Sequence, residues 1–120
     1  AFDLNRKDAS YTFVGRYQTG RGEVSGLEFD RSTGQLYIWH GGDYNQLEVA
    51  RLSSLDAGSE RRLDTIRLYN GPGSIRSDNH EGIAIDSTDN CVNGRRSFFL
   101  TTDNGRIWSL MQFREFPCSG

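Results

Sequence analysis

Two histidines, His40 and His80, are the only imidazoles in 120 residues, and both stand near carboxylates. His80 directly precedes Glu81, and His40 leads into Gly41-Gly42-Asp43. An imidazole beside a carboxylate can act as an acid/base pair in a hydrolase. Glu81 and Asp103, with Asn104 next in sequence, offer a second chemistry, because hard oxygen donors on loops suit Ca²⁺ better than Zn²⁺. A third set is aromatic and cationic. Trp39, Trp108, Arg51 and Arg67 can line a groove where an aromatic face and a guanidinium fork hold a sugar or an anion. Each set has a plainer alternative: carboxylates accepting from loop amides, solvated histidines, and tryptophans packed in a core.

Other chemistries are disfavoured by what surrounds the residues. Ser25 lacks the GxSxG elbow of a serine hydrolase. Gly20-Arg21-Gly22 and Asn70-Gly71-Pro72-Gly73 read as turns, since no Lys-Ser/Thr follows and no helix opens as a phosphate loop requires. Cys91 and Cys118 belong to no CxxC-type cluster, which argues against zinc. They are either two free thiols or the disulfide of an exported protein, tethering the C-terminal tail to the loop around residues 90–93. Such a bond contributes about 3–4 kcal/mol in the chain-entropy model. A chain starting at Ala1 fits signal-peptide removal as well as it fits a trimmed or proteolytic piece.

These side chains need a frame of short strands. Residues 11–18, 24–30, 36–40, 47–52, 63–69, 82–86, 98–102 and 107–113 carry strand signals. Leu47, Val49 and Arg51 alternate with Glu48, Ala50 and Leu52, and Leu63, Thr65 and Arg67 with Asp64, Ile66 and Leu68. Turn-forming runs such as Ser32-Thr33-Gly34 and Asp103-Asn104-Gly105 separate the segments. Residues 53–60, short and carrying Gly58, read as a loop. Asp30 and Asp86, each closing a strand, are placed to cap the next turn by accepting from loop amides.

An internal repeat organises the strands. Ser25-Gly26-Leu27-Glu28-Phe29-Asp30 returns 56 residues later as Glu81-Gly82-Ile83-Ala84-Ile85-Asp86. Each copy is followed by a polar turn, an aromatic-aliphatic strand (Leu36-Tyr37-Ile38-Trp39, then Phe98-Phe99-Leu100-Thr101), another turn and a third strand. Four strands in a unit of about 40–55 residues is the signature of β-propeller blades. The expected fold class is therefore all-β, two four-stranded antiparallel blades, with residues 1–10 as an N-terminal arm and 11–120 as the two-blade unit.

The first blade closes with 63–69, whereas the second lacks a fourth strand. Residues 11–18 are the candidate, within the chain or from a neighbouring copy. Gly15-Arg16-Tyr17-Gln18-Thr19, like Arg67-Leu68-Tyr69-Asn70-Gly71, sets a Tyr just before a polar turn. Two blades do not close a ring of about four to eight. A homo-oligomer is expected, first of all a six-bladed homotrimer, with a piece of a longer propeller as the alternative. One rim of the ring then collects Glu23, Ser25, His40 and Asp43 from one blade and His80, Glu81, Asp103 and Asn104 from the other. Glu81 faces the central channel.

The runs HEGIAID (80–86), FFLTTDNGRIWSL (98–110) and SGLEFDRSTGQLYIWHGG (25–42) combine an EG-apolar-A innermost strand, a second strand ending in an acidic turn and a third opening with Arg-Ile-aromatic. This pattern resembles the β-propellers grouped as phytase-like esterases and SdiA-regulated proteins. The resemblance implies propeller architecture. As one activity it implies a metal-dependent phosphoesterase or lactonase, with the metal held at the channel mouth by Glu81 and Asp103 and with Asn104 as a further donor.

Composition narrows the classes. The formal charge is −2, and 14 basic and 16 acidic side chains form no basic run, so the footprint of a nucleic-acid partner is missing. No stretch approaches the apolar length of a membrane span. Aromatic residues at 12% with 14 Gly and two Pro suit short strands and tight turns. The leading expectation is a secreted or periplasmic, lectin-like module that binds a small molecule or glycan, its weak sites multiplied by a symmetric oligomer.

Overall fold

In the computed structural model, which describes residues 2–51, 59–73, 79–103 and 109–119, the chain is all-β. Its strands are β1 Phe2–Asn5, β2 Ser10–Phe13, β3 Gly15–Gln18, β4 Val24–Asp30, β5 Gln35–His40, β6 Gln46–Arg51, β7 Ser59–Arg62, β8 Asp64–Asn70, β9 His80–Ile85, β10 Arg95–Thr102 and β11 Leu110–Pro117. The remaining regular element among the described residues is a 3₁₀ turn at Thr88–Asn90. No helix in this part of the chain is long and apolar enough to cross a membrane.

Two antiparallel meanders dominate. One is four-stranded in the order β4-β5-β6-β8, the other three-stranded in the order β9-β10-β11. The aromatic and β-branched run of β5 makes it a central strand, with Leu36 to His40 all buried. Its Tyr37 and Trp39 point to the second sheet, where they pack with Leu47, Val49, Leu100 and Phe116. Leu36 and Ile38 point the other way and pack with Ala50, Leu63 and Tyr17. The sheet therefore carries apolar side chains on both faces, and simple alternation along β5 is lost.

The edge strands β4 and β9 lie against each other, and both carry the same irregularity. Ser25 is the extra residue between Val24 and Gly26 opposite His40 and Trp39. Glu81 is the extra residue between His80 and Gly82 opposite Thr102 and Thr101. The similar runs 25–30 and 81–86 thus each hold a β-bulge at their first residue. The glycine after the first bulge has a packing reason, since a Cβ on Gly26 would lie 3.0 Å from the Ile83 nitrogen and 3.2 Å from the Gly82 carbonyl carbon.

Several expectations need correction. Residues 11–18 are not one strand: β2 pairs with β1 as a hairpin, and β3 pairs in parallel with β7. The N-terminal arm thus contains a strand of its own, supported by Phe2 and Phe13 facing each other across the ribbon. The expected loop at 53–60 gives way to β7 from Ser59 onward, its other residues lying outside the described part. A parallel partner so far along the chain leaves no local signal, because parallel pairing needs a long crossover. The last strand runs on to Pro117, since Arg95 and Arg96 pair with Pro117 and Phe116 past a second irregularity.

Arg96 locks the two sheets together. Its buried guanidinium donates to Asp30 Oδ2 at 2.8 Å, to the Asp86 carbonyl at 2.9 Å and to the Tyr37 hydroxyl at 2.8 Å. It also lies 5.7 Å from the Tyr37 ring and 5.8 Å from the Phe116 ring. Cys91 and Cys118 are disulfide-bonded, with Cα atoms 6.0 Å apart, which ties the chain after β11 to the loop after the 3₁₀ turn.

Candidate binding site

A groove of about 300 Å³ runs between the two meanders. Trp39 and Leu47 wall one side, Phe98, Phe113 and Phe116 the other, and Tyr69 with the 70–72 turn closes it. Register places these side chains. Leu47 sits opposite both Trp39 and Tyr69, so all three share one face of their sheet. Phe98 sits opposite Phe113 and stacks on it with centroids 4.8 Å apart. Phe116 meets Tyr69 and Phe98 edge-on, at 5.7 and 5.6 Å.

The turn after β8 approaches closely because of Gly71. Its N–H donates to the Asn45 carbonyl at 2.7 Å. A Cβ there would come within 2.6 Å of the Trp39 indole and 2.9 Å of that carbonyl oxygen. Asn45 is held in the left-handed region (φ 48°) and donates its side-chain amide to the Pro72 carbonyl at 3.3 Å. The indole Nε1 of Trp39 is buried and has no hydrogen-bond acceptor, and Asn45 Oδ1 has no donor. Gln46 Oε1, on the next residue, is likewise buried without a donor, and an unmade buried hydrogen bond costs on the order of 1–3 kcal/mol. Beside the groove, Arg67 donates to the Tyr69 hydroxyl at 3.2 Å and lies 5.7 Å from its ring. Glu115, its side chain largely exposed, stands at the mouth.

The structure separates the expected site residues into four groups. Trp39 is in the groove and Arg67 borders it. Arg51 lies at the far end of β6, exposed, and does not line it. Trp108 and Asn104 lie outside the described residues.

The rim residues differ most from a solvated cluster. His40 is fully buried on the outer face of the four-stranded sheet: Nδ1 faces the Gly22 carbonyl at 2.8 Å and Nε2 faces Glu48 Oε2 at 2.8 Å. Both neighbours carry acceptor oxygens, so the imidazole is held from two sides. Glu48 also accepts from the Gly20 N–H at 2.8 Å and from the Thr65 hydroxyl. Burial pushes its carboxyl up, but the hydrogen bonds from Thr65, His40 and Gly20 outweigh burial and hold it below the usual carboxylate range. This network pins the 20–22 turn to the sheet and is closed to a substrate.

His80 is buried with its ring edge-on to Trp39 at 5.7 Å. Asp43, Glu81 and Asp103 are exposed. Asn79 joins the last two, since its side chain donates to Glu81 and its carbonyl accepts from the Asp103 N–H at 2.8 Å. Among the described residues no three His, Cys, Asp or Glu side chains converge as a metal site. Asn104, the further oxygen donor expected beside Glu81 and Asp103, lies outside the described residues.

Arg96, Glu48, Tyr69, Phe113 and Phe116 were not singled out by sequence reasoning. Glu48 did carry a signal, as a lone carboxylate between Leu47 and Val49 in an apolar run. Phe113 and Phe116 offered only their aromatic type, because their placement depends on which sheet β11 joins. No protein-family model, curated protein or solved structure matches the chain.

Proposed function

We propose that the chain is a ligand-binding module of the β-propeller type, in which a groove between adjacent blades takes a neutral, sugar-sized ligand. On this reading β4-β5-β6-β8 is one complete blade and β9-β10-β11 the first three strands of the next. The matching bulges at Ser25 and Glu81 support it. The observation that carries the ligand assignment is a groove of about 300 Å³ walled by the rings of Trp39, Tyr69, Phe98, Phe113 and Phe116. A sugar ring turns an apolar C–H face to aromatic rings, and its hydroxyls suit the exposed Glu115 carboxylate at the mouth. The disulfide supports a secreted or periplasmic setting. Repetition of the groove in a homo-oligomer such as a trimer strengthens binding to a multivalent glycan.

Saturation-transfer NMR with a panel of mono- and disaccharides tests this on the full chain. At least one sugar should show transfer. Trp39→Phe shortens the aromatic wall and should weaken that sugar by about tenfold, or about 1.4 kcal/mol. Far-ultraviolet circular dichroism checks that the variant folds. Glu115→Ala, at the exposed mouth, should leave the fold intact and alter which sugars are preferred. A panel with no transfer, or a folded Trp39→Phe that binds as well as the wild type, ends the reading.

A further inference from the structure

The outer face of the four-stranded sheet carries apolar side chains that the chain leaves uncovered. Val24, Leu27 and Phe29 of β4 are 51, 61 and 46% exposed. Leu27 lies opposite Ile38 and Phe29 opposite Leu36, so they extend the small core that those residues form with Tyr17 and Leu63. Together they line an apolar cavity of about 520 Å³.

The chain's own stacking indicates what covers this face. Its two sheets meet head to tail: the side bearing Tyr37 and Trp39 packs against the side bearing Phe98 and Leu100. In the repeat, Phe98-Phe99-Leu100-Thr101 stands for Leu36-Tyr37-Ile38-Trp39. The Leu36/Ile38 side is thus the counterpart of a side that the chain has already covered with a Tyr37/Trp39 side. The second such covering side that the chain owns is that of Phe99 and Thr101. Leu110, opposite Thr101, shares it and is 67% exposed. A second observation agrees. Tyr17 of β3 packs with the Leu36/Ile38 core, much as Tyr69 of β8 packs on Phe116 of the opposite sheet. The sheet β9-β10-β11 has three strands, one fewer than β4-β5-β6-β8.

We infer that a second copy of this chain docks its β9-β10-β11 sheet on this face, with Phe99 and Leu110 set against Leu27 and Phe29. The inference rests on the blade reading above. Each copy presents one face of each kind, so the contact is heterologous and closes into a ring when the rotation allows it. Three copies complete six blades.

Light scattering on the full chain should give a mass above one chain, three chains for the six-bladed ring. Leu27→Glu and Leu110→Glu place a carboxylate at positions exposed in the single chain. Each should keep its circular dichroism and fall to the mass of one chain. Mixed in equal amounts, the two variants should regain the mass of two chains and no more, because only one intact Leu27 face then meets one intact Leu110 face. A wild type that is a single chain at every concentration overturns the inference. So does either folded variant at wild-type mass, or a mixture that stays at one chain. The groove lies within one chain, so its sugar binding is scored separately: a single-chain wild type that binds sugar removes only the docking, and an oligomer that binds none removes only the ligand assignment.

Discussion

Asp30 serves a turn and an interface with one carboxylate. Oδ1 accepts from the Ser32 N–H at 2.9 Å and Oδ2 from Arg96 at 2.8 Å. Burial pushes this carboxyl up, yet the hydrogen bonds from Ser32, Arg96 and Thr33 prevail and bring it down to about 2. The folded state thus binds the charged form more strongly than the unfolded chain does. The stability it supplies is full above the ordinary value of 3.8 and is lost as the pH falls through about 2. Asp30→Asn removes the charge facing a buried guanidinium and should cost about 1.5–3 kcal/mol at neutral pH. It should also flatten the loss of stability between pH 4 and 2, read by urea unfolding at several pH values. A slope identical to wild type would exclude Asp30 as its source. Glu48 adds a second lowered carboxylate with the same sign, inside the outer-face network rather than the inter-sheet lock.

At the scale of elements, the contact between β4 and β9 depends on the absence of a side chain at Gly26. Gly26 and Gly82 occupy the same repeat position, but their surroundings differ. Gly26 meets the backbone of the other sheet, whereas a Cβ on Gly82 would meet Thr101 Oγ1 at 2.7 Å within its own sheet. Gly26→Ala should destabilise by about 1–3 kcal/mol, the usual cost of overpacking, because backbone yields less readily than a flexible side chain. Thermal unfolding of the variant measures it, and an unchanged melting temperature would mean that β4 and β9 sit further apart. The pairings inside each meander were open to sequence reasoning because hairpin-connected neighbours leave alternation and turn residues on the page. The β3–β7 pair was not, and neither was the break at Val14 that separates β2 from β3, since both depend on partners distant in the chain.

For the whole molecule, the disulfide closes the second meander by fixing the residue after β11 to the loop before β10. Reduction, or Cys91→Ser, should lower unfolding free energy by about 3–4 kcal/mol in the chain-entropy model. The comparison belongs at one fixed protein concentration, because any association of copies makes the melting temperature depend on it. Unchanged stability on complete reduction would place the tail's anchorage in β10–β11 pairing instead.

Sequence alone determined the all-β class, most strand positions and the likeness of the runs 25–30 and 81–86. Those follow from local chemistry: side-chain period, turn preference and self-similarity. Tertiary structure decided which face each side chain takes and what it meets there. It turned His40 from a rim candidate into a buried partner of Glu48, set Arg96 between two sheets and gathered Trp39, Tyr69, Phe98, Phe113 and Phe116 around one groove. In a strand a shift of one residue reverses every facing, and a sheet's partner is chosen by packing over the whole core rather than by any local run of sequence.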